Sequence, residues 1–172
     1  MPLSNIKSAD LVQIAVKPDQ YPDESLQEIA FKNEPLYLQK LLYFAQRESY
    51  VLTGKPLFDY DFEGWVNGPV IPSLWKSYKA DKSVVRSDFS SLNDEERYVI
   101  DNTISQYGIY DAWYLRELSH KESSWLKSRE GLGEFENGNR IIDKADIQDD
   151  ASKVRQYDHI YDMYIDEFED AD

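Results

Sequence analysis

The segment PLYLQKLLYFAQRESYVLT, residues 35–53, is the strictest constraint on any fold this chain can adopt. Leu38, Leu41, Leu42, Ala45 and Leu52 recur at helical spacing along one face. Tyr37, Phe44 and Val51 form a second stripe at intervals of seven. A helix that is apolar on two sides has little surface to give to water, so it must run through the middle of its domain. Its ends are well marked. Asn33 and Pro35 open it, since proline suits a first turn, and Gly54 followed by Pro56 closes it.

The other segments arrange themselves around this helix. Residues 93–107 read as a second strong helix, with Asn93 as N-cap and Glu96 three positions on as its capping-box partner. Ile100, Ile104 and Tyr107 share a face there, and Gly108 is the stop. Shorter helices are predicted at 5–16, 25–32, from Pro72 to about Tyr78, at 111–119 capped by Asp111, at 123–130 capped by Ser123, and at 152–169. KPDQYPDE is a connector, and GLGEFENGNR, residues 131–140, is a loop. Only PLFDYDFEGWV breaks the helical pattern. Phe58, Tyr60 and Phe62 alternate with Asp59, Asp61 and Glu63, which is strand periodicity. The expected architecture is mainly α: a single-domain helical bundle around the central helix at about 35–53, with a small β element near 57–70. Three parts are expected: an N-terminal helical extension over 1–30, a core over 31–135, and an acidic helical segment over 136–172 packed on that core.

Composition narrows the function classes. The chain has 172 residues, a net charge of −14 and no cysteine. Nucleic-acid affinity comes largely from Lys and Arg displacing counterions, so a chain this acidic is not expected to bind DNA or RNA. Without cysteine there are no disulfides, thiolate zinc sites or Cys nucleophiles. No apolar leader and no membrane-length run stand out, so the expected location is the cytoplasm, in a bacterial or phage-borne setting. The last fifteen residues, DHIYDMYIDEFEDAD, hold seven acids and no Lys or Arg, which is half of the net charge. Tyr157, Ile160, Tyr161, Tyr164 and Phe168 recur there at helical spacing. Two readings stand side by side: a packed C-terminal helix with a frayed acidic end, and a surface for a basic partner.

Several motifs resemble chemistry but lack a required element. DYDFEGWVNGPV has acids at calcium-loop positions and Gly64 at the turn, but Val70 stands where the loop needs a bidentate Glu. Asp59, Asp61 and Glu63 as a hydrolytic carboxylate set lack any sign of a cleft. The Gly54-Lys55 pair has neither the earlier Gly nor the following Ser or Thr of a phosphate loop. GLGEFENG follows a helix rather than a strand, unlike a dinucleotide loop. His120 and His159 are the only histidines, and no GxSxG is present. His120 ends one helix just before the next, so it is read as a cationic or hydrogen-bonding group at a helix C-terminus. The chain is therefore not expected to be an enzyme or to carry a cofactor or metal.

WVNGPV, residues 65–70, places a turn signal inside the most aromatic stretch, and a hairpin corner, a binding loop and a metal loop all fit it. LQKLLYFAQ (38–46), LTGKPLFDYDFEGWVNGPVIPSLWKSYK (52–79) and LSHKESSW (118–125) together resemble the Panacea domain of SocA-like antitoxins and the phage-associated GepA proteins. The resemblance covers about residues 31–130. Ser124 stands where that family often has Pro.

The resemblance implies a mainly helical domain that neutralises a cognate protein toxin by direct binding. It also admits a proteolytic adaptor or a phage regulatory protein, and so a protease as a further partner. The hydrolase reading is the remote alternative. On this resemblance Gly68-Pro69 turns the chain into the helix at Pro72, setting Trp65, Val70 and Trp75 against the central helix, with Asn67 satisfying loop amides. Trp65, Asn67, Gly68 and Pro69 are then candidate partner contacts. Asp162, Asp166, Glu167 and Glu169 are the electrostatic candidates for a basic toxin. Lys40, His120 and Trp125 are the family-motif residues with a structural role.

Overall fold

A computed structural model describes residues 34–80 and 92–169. The helices expected at 5–16 and 25–32, and the whole N-terminal extension over 1–30, lie outside the described residues. Among those described, seven helices and two short hairpins occur in the order α1 (Glu34–Thr53), β1 (Glu63–Trp65), β2 (Gly68–Val70), α2 (Pro72–Ala80), α3 (Asp94–Tyr107), α4 (Ala112–Ser119), α5 (Ser123–Ser128), α6 (Lys144–Ser152), β3 (Tyr157–Asp158), β4 (Met163–Tyr164) and α7 (Ile165–Glu169). The architecture is mainly α with a small β element, as the periodicity predicts. No helix among the described residues is long and apolar enough to cross a membrane.

α1 is the axis of the fold. Every residue from Tyr37 to Tyr50 is buried, and α2, α3, α4, α6 and β2 all pack on it. Its two apolar stripes join one continuous core, which includes Leu38, Leu41, Phe44, Val99, Ile100, Leu115 and Ile147. Complete burial also encloses polar side chains, and each of these needs a partner. Gln39 and Gln46 solve this by acting as pieces of backbone. Gln39 Oε1 accepts from Ile71 N at 2.8 Å, and Gln46 Oε1 accepts from Leu57 N at 2.8 Å and Phe58 N at 3.2 Å. Gln46 Nε2 donates in turn to Phe58 O at 3.0 Å. The connection leaving α1 and the end of the β element are thus tied to the helix by side-chain amides seven residues apart.

α3 begins as the sequence requires. Asn93 Oδ1 accepts from Glu96 N at 2.8 Å, and Glu96 Oε2 accepts from Asn93 N at 3.2 Å. Asp111 caps α4 through Tyr114 N. Three expectations need correction. Ser123 does not cap α5. That role falls to the buried Asp150 of α6, whose carboxylate accepts from Ser123 N at 3.2 Å and Ser124 N at 2.8 Å. Strand alternation does not extend over 58–62: Phe58 and Phe62 are buried, but Tyr60 is exposed and only 63–65 pair as a strand. The chain there is an irregular connection that returns two aromatic rings to the core. The helix expected at 152–169 does not form. α6 ends at Ser152, and a β3–β4 hairpin precedes the short α7. The 3.6-residue spacing of Tyr157, Ile160, Tyr161, Tyr164 and Phe168 was misleading because Asn102 and Asp158 claim backbone groups that a helix would have needed.

Candidate protein-binding site

WVNGPV is a hairpin corner. Val66 and Asn67 form a two-residue turn, with Trp65 opposite Gly68, Gly64 opposite Pro69 and Glu63 opposite Val70. Gly64 N–H points away from β2, to Arg140 O at 2.8 Å. Gly64 and Pro69 are therefore a pair without mutual hydrogen bonds, and proline costs the ladder nothing at that position. The direction change lies one step earlier than Gly68-Pro69, which are instead the start of the return strand. Gly68 has φ +110°, not the extended conformation that a following proline would favour. A Cβ at Gly68 would lie 2.6 Å from Ser119 Oγ and 2.7 Å from Lys40 Cε. Glycine lets β2 press directly onto α1 and the end of α4.

The residues of three separate sequence motifs meet at this corner. Lys40 of α1 is completely buried, and its Nζ donates to Pro69 O at 2.8 Å. Burial, with Arg116 adding repulsion, pulls its pKa down to about 7. Trp125 Nε1 donates to Trp65 O at 2.9 Å. His120 stacks on Trp125, centroids 4.0 Å apart and planes 14° from parallel. Burial, then Arg116, lowers the His120 pKa to about 4. His120 does cap α4, through its backbone N–H to Arg116 O, but the ring is neutral at pH 7 and is no cation for the helix end. Trp65 is half-buried, with its ring edge-on to Trp75 at 5.8 Å and its Nε1 bonded to Glu63 Oε1 at 3.1 Å. Asn67 is exposed, and its Oδ1 accepts from Arg116 Nε at 3.0 Å rather than from loop amides. The Arg116 guanidinium also lies over the ring of Trp113, which is itself exposed. Gly68 and Pro69 are buried, so Trp65, Val66 and Asn67, with Arg116 and Trp113, form the outer surface of the corner.

A second polar group braces α5 from behind. Arg47 pairs with Glu122 and Tyr107, with its guanidinium 4.8 Å above the Phe44 ring. Tyr43 OH lies 2.8 Å from Ser124 Oγ and donates to Glu122 Oε2 at 3.3 Å. Ser124 thus has a hydrogen-bonding role of its own.

The acidic candidates lie elsewhere, on the β3–β4 hairpin and α7. Asp162 accepts from Tyr157 OH. Arg155 holds both oxygens of Asp166 at 2.8 Å and reaches Glu167 at 3.5 Å. The Glu169 side chain lies outside the described residues. The candidate contacts therefore form two separate sets, one at the β1–β2 corner and one at the C-terminal hairpin. Asp59 and Asp61 are exposed, with Lys144 Nζ at 3.7 and 3.8 Å, and Glu63 is engaged by Trp65. No cluster of three or more metal-ligating side chains occurs among the described residues.

Sequence reasoning missed Arg116, Gln39, Gln46, Asp150 and Asn102. The two glutamines carried a signal, because polar side chains seven apart on an all-round apolar helix need internal partners. Asp150 and Arg116 act across the fold and left no local trace.

The Antitoxin SocA-like, Panacea domain model matches residues 38–126. Neither the comparison with curated proteins nor that with solved structures returned a match. The matched span runs from Leu38 on the central helix, through the WVNGPV corner, to Leu126 just past Trp125. It covers more than half of the chain and contains the whole of the corner with its Lys40, His120 and Trp125 supports; the chain belongs to the SocA-like antitoxin, Panacea domain family.

Proposed function

We propose that this protein is the antitoxin of a toxin–antitoxin pair and neutralises a cognate protein toxin by direct contact, without chemistry of its own. The observation that carries this reading is the family match over residues 38–126, the span in which the separated motifs build one braced corner. Membership in an antitoxin-like family implies a protein partner in general. The partner proposed here is a basic toxin, since opposite charge steers association with a molecule of net charge −14. Trp65 and Asn67 offer an aromatic and amide contact on a rigid support, and Gly68 and Pro69 shape that support. Asp162, Asp166, Glu167 and Glu169, on the C-terminal segment, supply the attractive field.

The test is co-expression with the product of the neighbouring gene, scoring growth and then co-purification. Growth arrest by the neighbour alone, relieved by this protein together with a stable complex, is the expected result. A harmless neighbour with no complex overturns the antitoxin reading and brings forward a proteolytic adaptor or phage regulator acting on a host factor.

A further inference from the structure

We propose that the tip of the β3–β4 hairpin is the anchoring point for the protein partner: Ile160 and Tyr161, backed by Phe168, enter an apolar pocket ringed by Lys and Arg side chains. The inference deepens the antitoxin reading and rests on it. Ile160 and Tyr161 are 67% and 70% exposed, side by side in the four-residue turn between the strands. Phe168, 39% exposed, meets the Tyr161 ring edge-on at 5.7 Å. Scattered exposed hydrophobic residues are ordinary on any surface. Here two large ones are adjacent, joined to a third, and held on a turn that the rest of the fold goes to some length to fix.

A hairpin of two-residue strands has no stability of its own in water. This one is pinned from below. Asn102 is completely buried. Its Nδ2 donates to Glu48 Oε1 on α1 and to Tyr157 O, both at 2.8 Å, and its Oδ1 accepts from His159 N at 2.8 Å. Asp158 accepts from Tyr98 OH on one oxygen and from Tyr161 N, at 2.8 Å, on the other. Asp162 completes the turn at φ +52°, the one positive φ of a non-glycine residue among those described. None of these bonds uses the Ile160 or Tyr161 side chain. The turn is ordered before any partner arrives, so binding there loses little conformational freedom, and large apolar groups on rigid supports are what dominate protein interfaces.

Charge selects the occupant. The carboxylates of Asp158, Asp162, Asp166 and Glu167 sit on the hairpin and α7, and Arg155 is the one cation bonded to them among the described residues. The field of these four carboxylates, offset in part by Arg155, reaches the apolar tip and favours a pocket with a cationic rim. The same field disfavours a second copy of this chain, because two acidic hairpins would be brought together.

The experiment uses the full chain with the double substitution Ile160→Ser and Tyr161→Ser, with Ile109→Ser as an exposed control outside the hairpin. Thermal melting checks that each variant is folded, and titration against the purified product of the neighbouring gene reads affinity. The expected result is a loss of at least about 30-fold for the double variant with an unchanged melting curve, and none for the control. Affinity of the wild type should also fall with added salt. Full-strength binding by the double variant overturns this inference and leaves the antitoxin reading standing. A wild-type protein that does not bind the neighbour overturns both. A wild-type dimer in light scattering that the double substitution converts to monomer makes a second copy the occupant and overturns the proposal.

Discussion

At the scale of single residues, the corner depends on Gly68 and Lys40, for different reasons. Gly68 combines φ +110° with side-chain atoms 2.6 and 2.7 Å from where a Cβ would sit. Gly54, at φ +72°, has open space around it. Gly54→Ala should therefore cost about 1 kcal/mol from backbone strain alone. Gly68→Ala should cost about 3 kcal/mol or more, because β2 must also lift off Lys40 and Ser119. Urea unfolding of the two variants checks this, and equal losses would mean that the contact with α1 is not tight. Lys40 makes a prediction about pH. Its folded pKa is about 7 against 10.5 when solvated. Between those values the unfolded chain binds the proton and the native one does not, so stability rises with pH across that window. The slope from this group is at most about 1.4 kcal/mol per pH unit. Lys40→Met has no such proton, so the stability of wild type minus variant should climb from pH 7 to 10. Parallel profiles would show that Lys40 stays charged in the fold.

At the scale of elements, α1 does more than fill the core: its polar side chains hold the neighbouring loops. Gln46→Leu leaves Leu57 N, Phe58 N and Phe58 O without partners in a buried place. The expected loss is about 2–4 kcal/mol, well above the effect of an exposed substitution. For α5, Asp150→Ala should cost about 1–2 kcal/mol, while Ser123→Ala should be nearly neutral, since the cap comes from α6 and not from the chain ahead of it. Equal effects in urea unfolding would return the cap to Ser123. These cases also show what a sequence can reveal. α1, α3 and α4 were legible because apolar period, cap and stop agree within each segment. The C-terminal segment was not, because its apolar residues satisfy a helix pattern while Asn102, some fifty residues away, binds the backbone in a hairpin. The site divides in the same way. Lys40, Trp65, Gly68, His120 and Trp125 were legible as motif positions, whereas the Arg116 side chain reaches the corner through a bond to Asn67 across 49 residues.

At the scale of the whole molecule, the acids set the conditions under which the fold is most stable. Glu48 is buried and Glu122 partly so, and that burial raises both pKa values above 4.5. The native protein then keeps protons that the unfolded chain has released. Their contribution is fully present below pH 4.5 and is lost as pH rises through the folded values. Asp158 and Asp166 act in the opposite sense. The Tyr98 hydroxyl and the Arg155 guanidinium, respectively, lower them below 3.8, so their contribution is lost as pH falls through those lowered values. His120 opposes the two glutamates, since its ring pKa is lowered to about 4 from 6.5 and its contribution grows as pH rises across that window; without it the carboxyls leave the maximum on the acid side of neutrality. Net charge pushes the same way, because at pH 7 the −14 charge repels itself more in the compact state than in the open chain. Urea midpoints of a His120→Phe variant, which keeps a ring on Trp125 but lacks the opposing titration, should decline from pH 5 to 7, and salt at about 0.15 M, where screening acts over about 8 Å, should recover part of the decline. Glu48→Gln in that background separates the two causes. It removes the buried proton while leaving the surface field nearly intact, so the decline above pH 5 should flatten and the response to salt should persist. A His120→Phe profile that peaks at neutral pH and ignores salt would mean that neither the buried carboxyls nor the net charge governs the stability of this fold.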